Sequence, residues 1–271
     1  MSFDFIDYKA CRYEIQRRLG DNTEPVIGRD VTFKVTTETT MVDAKLGVEN
    51  GSKSGSVFVA GQQLSGRGRR GRSFVSAPGS GLWSTFYFIV EESRQASLVS
   101  LSAALAISDS FAELFGVVVD IKWPNDIQIA GKKISGILPD LVLKDSIFEM
   151  YLGIGINIKT PSDLPTDVSA IATSIEKLGL EPPPLEVLLA NLSFFLERRL
   201  LQASVEPSEL IKDWKLQLVT LGKRIRLATP GGDVMGLAVD VTDVGELLLE
   251  LDDGSVGTYA AGDVHTLGIA D

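Results

Sequence analysis

The period of hydrophobic positions changes several times along the chain, and each change marks an element. VTFKVTT (31–37) alternates apolar and polar residues in strand fashion. From Thr37 to Ala44 the pattern turns helical, with Thr39 or Thr40 as cap and Asp43 favouring the first turn. Glu49 to Ser56 is rich in Gly and Ser and reads as a loop. SVFVAG (56–61) and LWSTFYFIV (82–90) predict strands. Over 96–115, Leu98, Leu101, Leu105, Ile107, Phe111, Leu114 and Phe115 recur at three- and four-residue spacing, one buried stripe of a helix that Gly116 ends. VVVDIKW (117–123) and IFEMYLGIGINI (147–158) predict strands. Between them DIQIAGKKISGIL (126–138) predicts a hairpin turning at Ala130–Gly131. Pro182 to Pro184 precede a helix over 185–201, and a shorter one follows Pro207 through Trp214. Residues 1–25 hold a short helix, broken at Gly20 and Pro25.

After Gly222 the pattern becomes RIRLAT, MGLAVDV, ELLLEL and SVGTY, short strands about ten residues apart with Gly-rich turns. This predicts a small all-β barrel and puts a domain boundary near residue 220, giving domains 1–220 and 221–271. The larger part predicts an α+β fold, a mixed β-sheet with helices packed on one face.

Composition narrows the classes. Apolar residues make up 44% and charged residues 23%, which excludes a disordered chain. No uninterrupted apolar run reaches the ~18 residues of a membrane span, and the first residues lack the apolar stretch of a secretory signal. Cys11 is the only cysteine, so an intrachain disulfide and a cysteine zinc cluster are excluded and a reducing, cytoplasmic compartment is expected. His265 is the only histidine, which argues against Ser-His-Asp or Cys-His hydrolysis. A net charge of −10 repels nucleic acid and anionic lipid, so neither DNA nor a membrane is an expected partner. An anion must be held by a local positive feature.

GRGRRGR (66–72) is such a feature. Glycines let successive N–H groups line a concavity, and arginines add planar forks for phosphate or carboxylate. The plain alternative is a solvated basic loop or a nucleic-acid patch. It is not a Walker A loop. KWPND (122–126) gathers Lys122, Asn125 and Asp126 at a strand end; Trp123 fills a core or lines a pocket, and an ordinary Pro-Asn-Asp turn is the alternative. In GKKISGIL (131–138), Lys132 and Lys133 face opposite sides, so one can enter a site while Gly136 permits close approach of a ligand; an edge-strand lysine pair is the alternative. GIGIN (153–157) alternates small and apolar residues before Asn157.

Taken together and in order, QxxGRGRRGRxFxSxxGxGL, KWPND, KKISGIL, GIGIN and ATS (172–174), followed by a small β domain, resemble the biotin–protein ligases. The resemblance runs by motif from about Thr36 to Ser174 and by layout to the end. It implies a class II synthetase-like catalytic domain with an SH3-like C-terminal barrel. With about 30 residues before the catalytic region, it implies the short class without a DNA-binding repressor domain. The implied activity joins biotin and ATP, with Mg²⁺, into biotinyl-5′-AMP, then transfers biotin to a lysine of a biotin carboxyl carrier protein domain. As catalytic residues it implies Lys133, Arg67 and Arg69; Asp126, by its position in KWPND, is the candidate carboxylate for helping to deprotonate the carrier lysine. On the biotin side it implies Thr39 and Thr40 (a Ser-Thr-Asn segment in the family, here ending in Met41), Gln63 or its rival Gln62, Gly66, Arg67, Lys133 and Gly136. On the nucleotide side it implies Arg69, Arg70, Arg72, Phe74 in place of a common Trp, Lys122, Asn125 and Asn157. The Gly66–Arg72 loop is expected to close as a lid. Either a monomer or a homodimer is compatible. The competing readings are a lipoate ligase or lipoyl-type acyltransferase of the same fold, a nucleic-acid-binding protein and a biotin-binding protein without turnover.

Overall fold

The computed structural model describes residues 8–19, 26–91 and 93–267, so the expected breaks at Gly20 and Pro25 lie outside the described residues. In chain order the elements are α1 (Tyr8–Leu19), β1 (Val31–Lys34), α2 (Thr40–Glu49), β2 (Val57–Ala60), β3 (Gly81–Val90), α3 (Ser93–Phe115), β4 (Asp120–Lys122), β5 (Asp126–Ile129), β6 (Lys132–Lys144) and β7 (Ile147–Asn157). They continue as α4 (Thr166–Ile171), α5 (Leu185–Val205), α6 (Pro207–Leu216), β8 (Arg224–Thr229), β9 (Gly232–Val241), β10 (Leu247–Leu251), β11 (Val256–Tyr259) and β12 (Asp263–Thr266).

The first seven strands form one sheet in the order β1-β2-β3-β7-β6-β5-β4. β1 and β2 run parallel and every other pair antiparallel, which makes the sheet mixed. Alternation along β3 divides its residues between two cores. Leu82, Phe86 and Phe88 join Ile154 and Ile156 of β7 in the large cluster with α3, α5 and α6. Tyr87 faces the opposite way and joins Phe58, Tyr151 and Ala44 of α2. α1, α3, α5 and α6 thus lie on one face as expected, while α2 lies on the other, where α4 also lines the cavity.

α3 lies at the centre of the large core: Leu105, Ile107 and Phe111 are fully buried. Its segment Ala96–Phe115 is long and apolar enough to cross a bilayer, which corrects the expectation that no such stretch exists. Two-thirds of that window is buried against the rest of the protein, the burial of a core helix. One arginine ties three helices together. Arg199 of α5 holds both oxygens of Asp109 on α3 (2.7 and 2.9 Å) and reaches Asp213 on α6 at 2.7 Å.

Several elements differ from expectation. β1 stops at Lys34, and Thr37 instead bridges Gln63. α2 begins where expected, with Thr39 Oγ1 accepting from Val42 N at 3.1 Å, but runs on to Glu49. Residues 117–119 are not strand; Val118 is 81% exposed, and only Asp120–Lys122 find a partner in β5. The hairpin at Ala130–Gly131 forms with both residues at positive φ, as a type I′ turn requires. A second hairpin, at Asp145–Ser146, was not read from the sequence, since no glycine announces its positive φ angles.

The C-terminal strands form a separate antiparallel sheet, β11-β10-β9-β8-β12, the small β domain expected. Its edge strands β11 and β12 do not pair with each other among the described residues, so the barrel is open along that seam. Trp123 ties the two parts together: it is buried, its Nε1 donates to Gly245 O at 3.0 Å, and it fills core rather than lining a pocket.

Candidate active site

The ends of β3, β6 and β7, the N-terminus of α2, the arginine loop and α4 enclose a cavity of about 720 Å³. That volume suits a drug-sized ligand. The cavity sits on the α2 side of the sheet, and its floor has few side chains. Gly136 pairs with Gly155 across β6 and β7, and Gly153 pairs with Thr85 of β3. The alternation in GIGIN therefore sends Ile154 and Ile156 into the core and leaves bare backbone facing the cavity. Phe74 lies on this floor: a Cβ on Gly155 would come within 3.0 Å of its ring, and the ring meets Trp83 edge-on at 5.6 Å.

Lys133 enters the cavity because of a register shift. Gln128 pairs with Lys133, but Ile127 pairs with Ser135, so Ile134 is an extra residue in β6. In an unbroken strand, residues three apart face opposite sides. The bulge puts Lys133 and Gly136 on the same side. A Cβ on Gly136 would lie 2.9 Å from Lys133 Cε and Nζ, so this glycine makes room for the lysine as much as for a ligand. Lys133 Nζ contacts Asp126 Oδ1 and lies 5.7 Å from the centre of the Phe74 ring.

At the α2 end, Gln63 links the start of α2 to Ser76. Its Oε1 accepts from Thr40 N (2.9 Å) and Thr40 Oγ1 (3.2 Å), and its Nε2 donates to Ser76 Oγ (2.9 Å). Thr40 Oγ1 also meets Thr85 Oγ1 at 2.8 Å. Gln63 lines the cavity and its rival Gln62 does not.

The arginine loop crosses the opposite end. Phe74 N donates to Gly66 O and Gly68 N to Arg72 O, which closes the loop on itself. Arg69 points to Asn125 Oδ1 and Gly262 O, both at 3.3 Å. Burial pushes its guanidinium below the ordinary value, while Asp263 and Asp126 pull the other way and Arg70 and Arg72 add to the lowering. Like charges crowded in a partly desolvated place favour an entering anion. Asp263 of β12 meets Arg72 at 2.5 Å and Arg70 at 3.2 Å.

Thr39, Thr40, Gln63, Arg67, Arg69, Arg72, Phe74, Asn125, Asp126, Lys133, Gly136 and Asn157 thus all line one cavity, although the sequence spreads them over more than a hundred residues. Three expected residues do not line it. Gly66 is needed for loop closure, since a Cβ there would lie 2.3 Å from Phe74 O. Arg70, at φ 54°, turns to the C-terminal sheet and donates to Ala228 O at 2.8 Å. Lys122 lies on β4, the edge strand, one strand beyond β5. The sequence reading missed Asp263 and the α4 region, where Leu164, Val168 and Ile171 line the cavity. Neither carries a local signal.

Comparison with known proteins gives this geometry a family. Residues 32–157 match the biotin/lipoate A/B protein ligase family and residues 220–265 the biotin protein ligase C-terminal domain. The bifunctional ligase/repressor BirA of Bacillus subtilis is 31% identical over 254 residues, covering 92% of this chain and 77% of that one. The chain belongs to the biotin protein ligase family. A second relative, the biotin–[acetyl-CoA-carboxylase] ligase of Mycobacterium tuberculosis, is 35% identical over 216 residues, 78% of each chain. The biotin protein ligase of Aquifex aeolicus, solved in complex with biotin and ATP, superposes with a TM-score of 0.73 at 25% identity, covering 88% of this chain and 99% of that one. The matches span both sheets, so this family member shares the two-part layout as well as the motifs.

No cluster of three or more His, Cys, Asp or Glu residues exists among the described residues. A caged metal would need one. Mg²⁺ brought in by nucleotide phosphates would not, because it keeps several waters and takes one or two protein oxygens. Asn125, Asp126 and Asn157 supply oxygens at the cavity wall, and that donor set fits such an ion.

Proposed function

We propose that this protein activates biotin with ATP and transfers it to a lysine of a biotin carboxyl carrier protein domain. The observation that carries the reading is Lys133, aimed by its bulge into the cavity that also holds the arginine loop.

In the first step a biotin carboxylate oxygen attacks the α-phosphorus of ATP. The bond to the β-phosphate oxygen breaks, and pyrophosphate leaves biotinyl-5′-AMP. Both partners are anions, so the chain must offset their repulsion and the charge that develops. Lys133 and Arg67 meet the carboxylate and the bridging phosphate, and Arg69 and Arg72 meet the remaining phosphates. Asn125 and Asp126 would hold a Mg²⁺ ion that arrived with the nucleotide, and such an ion would supply further charge neutralisation. The fused rings of biotin lie on the glycine floor, with Thr39, Thr40 and Gln63 as polar partners, and adenine stacks at Phe74.

In the second step the carrier lysine attacks the acyl carbon, the bond to AMP breaks, and the amine loses a proton. Free lysine has a pKa near 10.4, so a carboxylate helps at neutral pH. Asp126 takes that part.

The test is biotin-dependent exchange of labelled pyrophosphate into ATP by the purified protein, without carrier. Exchange that requires biotin and falls about 10²-fold in Lys133→Ala is the expected result. Exchange with lipoate or octanoate instead of biotin moves the protein to the lipoyl branch of the fold. Silence with every acid leaves only a binding role.

A further inference from the structure

Asn157 ends β7 and lines the cavity, yet its amide nitrogen is engaged with main-chain carbonyls. Nδ2 donates to Thr173 O at 3.0 Å and reaches Lys133 O at 3.4 Å. Lys133 O also accepts from Thr173 N at 2.8 Å, and Lys133 forms an isolated bridge with Ala172. Ile175 N in turn donates to Asn157 O at 3.1 Å. Three segments distant in sequence therefore meet at one carbonyl. That carbonyl belongs to the residue just before Ile134, the extra residue of the bulge.

A bulge interrupts the ladder that fixes a strand's twist and register, so the aim of the side chains beside it depends on what else holds the backbone. Here the other holders are Thr173 N and Asn157 Nδ2. A reacting charge must be held to a fraction of an ångström to act. We infer that Asn157 is a positioning residue for Lys133, bracing the bulge so that Nζ points over Gly136. The inference rests on the proposed function, in which Lys133 meets the biotin carboxylate. The same placement leaves Asn157 Oδ1 as the acceptor end of the amide, and a contribution through that atom to the nucleotide would not depend on Lys133.

A double-mutant cycle separates the two. Pyrophosphate exchange and calorimetric biotin affinity are measured for the wild type, Asn157→Ala, Lys133→Met and the double variant, with thermal midpoints for all four. Asn157→Asp serves as the isosteric second variant if alanine fails to fold, since it removes both donors while keeping the volume. The expected result is a loss of about 10- to 100-fold in the maximal exchange rate of the single Asn157 variant. Its KM for ATP stays within about twofold, and no further loss appears in the Lys133→Met background. An equal loss in both backgrounds, or a loss confined to KM for ATP, overturns the inference while leaving the proposed function in place. A wild-type protein that shows no biotin-dependent exchange removes the proposed function, and the inference with it.

Discussion

Lys133 and Gly136 make one unit at the scale of the residue. A Cβ on Gly136 would lie only 2.9 Å from Cε and Nζ, so Gly136→Ala pushes the ammonium out of its place without touching the core. The expected outcome is a fall of about tenfold in pyrophosphate exchange with an unchanged melting temperature. Asp126 contacts the same ammonium and is assigned a second task in transfer. Asp126→Asn is therefore expected to slow single-turnover transfer from preformed biotinyl-AMP to the carrier more than it slows exchange, by about 10² against about tenfold. Equal losses in the two assays would mean that Asp126 only orients Lys133. Much at this scale was legible in the sequence. Lys133 and Asp126 sit in charged motifs suited to anion chemistry, Gln63 and Phe74 follow from the resemblance to the biotin–protein ligases, and all four line the cavity. The bulge was not legible: it exists only in the pairing of β6 with β5, and one strand's residues do not specify a partner's register.

Elements hold the site through the helix layer behind the sheet. Burial alone pushes the Asp213 carboxyl up; hydrogen bonds from Gln202 and Arg199, with the charge of Arg199, overcome it and hold the group below its ordinary value. A depressed carboxyl pKa contributes stability at pH values above its unfolded value. That contribution is lost as pH falls through the folded one. Arg199→Met removes the shared partner of Asp109 and Asp213. It is expected to cost about 2–3 kcal/mol at neutral pH, seen as a lower denaturant midpoint with an unchanged slope. The variant's stability should also fall less steeply than the wild type's as pH drops below about 4. The long periodic helices were legible in the sequence because their stripes repeat over four or more turns. β12 and α4 were not, being four and six residues long with nothing periodic to count. Residues 117–119 misled for the opposite reason: three valines in a row match strand composition, but no neighbouring strand lies there to pair them.

For the whole molecule, the arginine loop joins two sheets. Arg70 and Arg72 share Asp263, Arg70 reaches Ala228 O, and Arg69 reaches Gly262 O. The C-terminal sheet is thus part of the cavity wall. Asp263→Asn keeps the shape and removes the charge that anchors two arginines. Trypsin is expected to cut the Gly66–Arg72 loop of this variant several-fold faster than that of the wild type, roughly as expected for losing a charge-assisted anchor. Biotin plus ATP should protect the loop in both proteins, because the phosphates of ATP give the arginines an anion to hold, in the variant in place of the lost carboxylate. Equal cleavage of the two ligand-free proteins would show that the loop's own hydrogen bonds suffice. This link was beyond sequence reading, since 191 residues separate Arg72 from Asp263. Only the overall layout, a large mixed sheet followed by a small β unit, showed in the pattern.

The glycine floor has a consequence for which molecules the cavity accepts. Side chains are absent at Gly136, Gly153 and Gly155; Lys133 lies over the first and Phe74 over the last, so the peptide plane at Gly153 acts as the end-stop of a depth gauge. At Gly153 an added methyl would meet Leu138 O and Met41 Cε at 3.3 and 3.4 Å, a fit that needs only a small adjustment. A methyl at Gly153 would take up part of that depth, so the capacity of the cavity is set by the main chain and can be lowered by one substitution that leaves the pairing of β3 with β7 in place.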